Sequence, residues 1–151
     1  MRLWLPALVV LAAAPAVAHH PFTPHYDGSR TVSITGVIAE LRTVNPHVVL
    51  IIEGTGPDGT TGRWAFEGSP PGAFRRRQAD FEEKLKPGTR VSISGFPATD
   101  PKARAFSGRE VTFADGSTMP FGGAGPEADD RWRCTSADCS GSYKYPDVRP
   151  Q

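Results

Sequence analysis

Residues 31–44, TVSITGVIAELRTV, decide the fold. Val32 and Ile34 alternate with polar neighbours in one register, and Gly36 interrupts. Val37, Ala39 and Leu41 then alternate in the opposite register. Side chains on a strand point to opposite faces with period two, so a change of phase at a glycine predicts a bulge or coil that bends the strand. Asn45-Pro46 ends it, because proline biases its predecessor away from helix and cannot donate to a ladder.

The chain after this turn reads as more strands. His47 to Glu53 is a nearly continuous apolar run with at least one buried face. Gly56-Pro57-Asp58-Gly59 is a turn, and Arg63 to Glu67 is a third strand with Trp64 and Phe66 on one side. Ser69 is placed to cap a short helix with Pro70 or Pro71 in its first turn, running to about Gln78 and anchored by Phe74. Lys86-Pro87-Gly88-Thr89 turns into a fourth strand carrying Val91 and Ile93. A fifth strand spans Ala105 to Phe113, and a short sixth segment covers Ser117 to Phe121. Three strands, a short helix and two more strands, with a bent first strand shared by both halves, is the order of an all-β OB-fold barrel. Another small barrel or sandwich with the same strand count is the competing arrangement.

Outside 31–121 the composition changes character. Met1-Arg2, the apolar stretch Leu3 to Pro15 and the small exit Ala16-Val17-Ala18 are the three parts of a cleavable secretory signal, residues 1–18. The apolar stretch is short for a membrane span and is broken by Pro6 and Pro15, so no span is expected after cleavage. Residues 19–30 form an extended lead. Residues 122–151 are rich in Gly, Pro, Asp, Arg and Ser and read as a flexible tail. Cys134 and Cys139 lie in that tail, and export makes a disulfide their expected state. Closing so short a loop stabilises by only about 2 kcal/mol. Of 17 basic residues Arg2 leaves with the signal, and the rest balance 16 acidic ones. A neutral surface offers no footprint for nucleic acid.

His19-His20-Pro21-Phe22, Tyr26-Asp27, Gly36-Val37, Asn45-Pro46-His47, Trp64-Ala65-Phe66-Glu67, Ser69-Pro70, Arg75-Arg76-Arg77, Leu85-Lys86-Pro87-Gly88 and Gly95 follow one another in a distinctive order. That order resembles a family of uncharacterised exported bacterial proteins, a domain of unknown function, over His19 to Phe121. The resemblance implies a secreted or periplasmic small β domain and brings no catalytic assignment. Pro71-Gly72 departs from the family as a poor helix start, and the tail from Gly123 lies outside the shared region.

All four histidines, His19, His20, His25 and His47, fall early in the mature chain. Cleavage after Ala18 would free the amine of His19, which with its ring can chelate a metal. A second imidazole would complete a set of three nitrogens suited to copper(II). His47, behind a rigid Asn-Pro turn, is the better second ligand, with His20 or His25 contributing less. The lead is long enough to return to His47 at ~3.3 Å per extended residue. The plainer reading is an exposed start and a His47 that caps a strand.

Other motifs carry less. Arg75-Arg76-Arg77 reads as a solvated helix face balanced by Glu82 and Glu83, and Trp64 with Phe66 as core. Glu40, Glu53 and Glu67 are carboxylates whose spacing pairs no two of them. No nucleophile elbow or phosphate-cradling loop is present. The expected function is a non-enzymatic binding module of the cell envelope, periplasmic or secreted, taking a small ligand or an envelope protein. A copper-binding protein is the first alternative and an envelope enzyme the second. The enzyme would need His47 paired with Glu53 or Glu67 in a deep polar pocket.

Overall fold

The computed structural model describes residues 25–122 and 144–150. The signal segment, His19, His20, Cys134 and Cys139 lie outside the described residues. The strands are β1 (Val32–Arg42), β2 (Val49–Thr55), β3 (Thr61–Glu67), β4 (Arg90–Pro97), β5 (Ala105–Phe113) and β6 (Thr118–Pro120). Two short helices, α1 (Pro71–Arg77) and α2 (Phe81–Lys84), lie between β3 and β4. The sheet runs β3-β2-β1-β4-β5-β6, and a further β3–β5 pairing closes the first five strands into a barrel. That is the OB-type arrangement expected from the strand order. No helix among the described residues is long and apolar enough to cross a membrane.

Closure rests on a parallel seam that pairs Ala65 with Ala105, Phe66 with Phe106 and Glu67 with Ser107. Phe66 and Phe106 stack across it, ring centroids 4.8 Å apart. Ile34, Ile38, Leu50, Ile52, Trp64, Phe66, Ile93 and Val111 fill the interior. Each side chain of this size contributes roughly 1.5–3 kcal/mol when fully buried. Trp64 and Phe66 are therefore core, as their shared face predicted. Phe74 and Phe81 plug one end of the barrel, with centroids 4.9 Å apart.

The phase change in β1 is real but falls three residues later than Gly36. Ile34, Gly36 and Ile38 share the buried register, and the ladder to β2 slips between Ile38 and Glu40. Ala39 is the residue left over, and Leu41 returns to the core side. Val37 and Ala39 are thus not inward, as the alternation implied. Gly36 serves a different need, since a Cβ there would collide with the carbonyl of Glu53 on β2. It marks a close approach of two backbones.

The helix also departs from expectation at its start. Pro70, not Ser69, occupies the capping position, and no side chain caps α1. Ser69 is drawn into the backbone ladder: its N–H donates to Phe121 O (3.0 Å) and its carbonyl accepts from Val48 N–H (3.0 Å). Pro71 then sets the first turn without a cap. Despite Gly72, α1 is a true helix of 7 residues.

The outer face of the hairpin β2–β3 is apolar as well. Val49, Ile51 and Ala65 form a second cluster, packed by Ala39 and by Val148 from the far end of the chain. Residues 144–150, within the stretch expected to be a flexible tail, lie against the barrel. Arg42, its side chain 8% exposed, grips them. Its Nη1 donates to the carbonyl of Asp147 (2.6 Å) and its Nη2 to that of Arg149 (2.7 Å). Glu40 takes the rest of the guanidinium fork through Nε (2.7 Å) and Nη2 (2.9 Å).

Candidate functional site

The β2–β3 hairpin pairs Val49 with Glu67 across its ladder. The ladder continues past β2, because Gly68 N–H donates to Val48 O (2.8 Å). His47, two residues ahead of Val49, therefore falls on the same face as Glu67, at the diagonal position where long side chains meet. They do meet: His47 Nδ1 bonds Glu67 Oε1. A carboxylate can only accept, so Nδ1 carries a proton and donates, and in the neutral ring Nε2 holds the lone pair.

A third side chain completes the group. Tyr26, from the lead, bridges to Ala98, and Asp27 N–H donates to Pro97 O (2.8 Å) while Thr99 N–H donates to His25 O (3.0 Å). This short pairing buries the Tyr26 ring with Phe96, Ala98 and Ala105. Its hydroxyl donates to Glu67 Oε2 (2.6 Å). Both oxygens of Glu67 are engaged, one by the lead and one by His47.

The electrostatics follow from this geometry. The hydrogen bond His47 donates to Glu67 and the negative charge of that carboxylate raise the His47 pKa above the ordinary imidazole value, and burial opposes them. The Glu67 side chain is 12% exposed, and His47 is 33% exposed. The histidine is thus held from behind by a sheltered carboxylate while its ring reaches solvent.

A family model matches residues 7–107 and is described as a family of unknown function, DUF6152. The chain belongs to the DUF6152 family. Comparison with curated proteins and with solved structures gave no match. The DUF6152 region takes in Tyr26, His47 and Glu67, whereas residues 144–150 lie beyond it.

The remaining candidates distribute as follows. His25 presents its backbone carbonyl to Thr99 and to the hydroxyl of Tyr145 (2.7 Å). No cluster of three or more His, Cys, Asp or Glu occurs among the described residues. Glu40 is taken by Arg42 and Arg63, and Glu53, 61% exposed, stands 3.8 Å from Arg63. Arg75 pairs with Glu82 at 3.3 Å, and Glu83 pairs with Lys86 rather than with the arginine run. The pairing of His47 with Glu67 was open to a register argument from the Gly56–Thr60 turn. Nothing in the spacing of Tyr26 pointed to it.

Proposed function

We propose that this DUF6152 protein is an exported, non-enzymatic binding module whose ligand is copper(II), with His47 as the anchoring imidazole. One observation carries the reading: Glu67 fixes His47 through Nδ1 and leaves Nε2 for a ligand. A carboxylate behind a histidine is how metal-binding imidazoles are oriented and made more basic. The lead supports it too, since the Tyr26 hydroxyl donates to the carboxylate that holds His47. Processing after Ala18 would supply the amine and ring of His19, with His20 or His25 as lesser contributors.

A carboxylate–histidine pair also orients a general base in enzymes. The binding reading is preferred because His47 stands a third exposed at the end of a hairpin rather than deep in a polar cleft. The raised pKa adds a pH dependence. Copper must displace the proton from Nε2, so affinity falls on acidification, beginning above the ordinary imidazole pKa of about 6.5.

The test is copper titration of the processed protein beside His47→Ala and beside a version carrying one extra N-terminal residue. Each change should weaken binding by about tenfold or more, the range lost on disturbing such ligand sets. Equal affinity in all three proteins would overturn the assignment. Turnover on an ester, phosphate or glycoside panel that vanishes in His47→Ala would favour the enzyme instead.

A further inference from the structure

We infer that residues 144–150 are a clasp that seats the N-terminal lead beside His47, with Tyr145 as its positioning residue. The lead meets the barrel at Tyr26, through a bridge to Ala98 made by the Asp27 and Thr99 backbone hydrogen bonds, through its buried ring and through its hydroxyl on Glu67. Tyr145 adds a hydroxyl that donates to the His25 carbonyl (2.7 Å) and meets Thr99 Oγ1 (3.2 Å). Its ring stands edge-on to Tyr26, centroids 5.8 Å apart and planes at 78°. Tyr145 therefore contacts His25 and Tyr26 of the lead and Thr99 just beyond β4.

The clasp is fastened at its other end by different groups. Val148 packs on the outer cluster of Val49, Ile51, Ala65 and Ala39. Arg42 takes the carbonyls on either side of Val148, those of Asp147 and Arg149. A guanidinium has five donors in a fixed fork, so Arg42 can serve Glu40 and still hold two strap carbonyls. An apolar contact and two charge-assisted bonds fix the strap, and the strap then fixes the lead. The line of contacts runs from Arg42 through Tyr145 and Tyr26 to Glu67 and His47. Its consequence for ligand affinity rests on the copper reading above; the clasp itself does not.

Amide hydrogen exchange on the full processed chain tests it. In Val148→Asp, which puts a charge on the apolar seat, the amides of Asp27 and Thr99 should exchange roughly tenfold faster, while those of Ile38 and Ile52 keep parental rates. Tyr145→Phe, which keeps the ring and folds with no buried charge, should give a smaller acceleration at the same two amides. Val148→Ile should restore parental exchange. Parental rates at Asp27 and Thr99 in both Val148→Asp and Tyr145→Phe would overturn the clasp. So would an acceleration spread evenly over the barrel, the mark of simple destabilisation. Copper titration separates the two readings: parental affinity in His47→Ala ends the metal assignment and leaves the exchange result standing. With the metal assignment intact, Val148→Asp should lower copper affinity by about the factor seen in exchange.

Discussion

The two faces of the β2–β3 hairpin carry the same kind of side chain for different reasons. Inward, Leu50, Ile52, Trp64 and Phe66 meet the other strands of the barrel. Outward, Val49, Ile51 and Ala65 are just as hidden, and the apolar residues packed on them are Ala39 and one almost at the end of the chain, Val148. The inner face is sealed by the barrel's own closure. The outer face is sealed by a strap that the barrel must grip with Arg42, and His47 and Glu67 stand at the end of that same face. A run apolar on both sides therefore signals a second covering layer, and here the covering layer reaches the site.

Core truncation should give the largest effect. Phe66→Ala removes a ring stacked across the seam and should cost about 3–5 kcal/mol in denaturant unfolding. Ile51→Ala and Ile52→Ala, both fully buried, should each cost about 2–5 kcal/mol. Repeated in a Val148→Asp background, the Ile51 cost should shrink and the Ile52 cost should not. An Ile51→Ala cost under about 1 kcal/mol in the parent would show that the outer face is not a sealed layer.

Tyr26→Phe comes next. It removes a buried hydroxyl from a carboxylate and should cost about 1.5–3 kcal/mol by the same unfolding measurement. A smaller loss would mean that the Tyr26 hydroxyl adds little to the hold on the lead.

The smallest effect is on pH dependence. The folded pKa of His47 is raised, so the stability it contributes is complete below about pH 6.5, the unfolded value, and is lost as pH rises through the folded one. Thermal unfolding from about pH 6 to about pH 9 should show this decline in the parent and not in His47→Asn. Parallel curves for the two proteins would remove the His47–Glu67 bond from the folding balance.

Much of the barrel was legible because strands with one face on a core alternate, and turns rich in Gly, Pro and Asp punctuate them. The core residues Trp64 and Phe66 were assigned correctly on that ground. Gly36 misled, because a glycine in a strand marks either a change of register or a close backbone approach, and alternation cannot tell these apart. The slip at Ala39 left no special residue behind. Ser69 misled for a related reason, since the ladder beyond β2 and β6 claimed its backbone before a helix cap could form. The site was half legible. His47 stood out by type and by the turn ahead of it, while its partner needed the hairpin register. Tyr26 and Tyr145 needed the tertiary fold, for no local pattern brings residue 26 and residue 145 together.

The barrel closes on three residue pairs of parallel strand, between segments nearly forty residues apart in sequence. Everywhere else neighbouring strands are antiparallel, as β1 is with β2 and β4. A chain with this seam parted presents two naked edges, β3 and β5, each lined with unpaired N–H and C=O groups. Such edges pair readily with any strand that arrives, including the matching edge of another copy. Self-association of this protein should therefore begin at Ala65–Glu67 and Ala105–Ser107, and the stack of Phe66 on Phe106 is the bolt that keeps those edges turned toward each other.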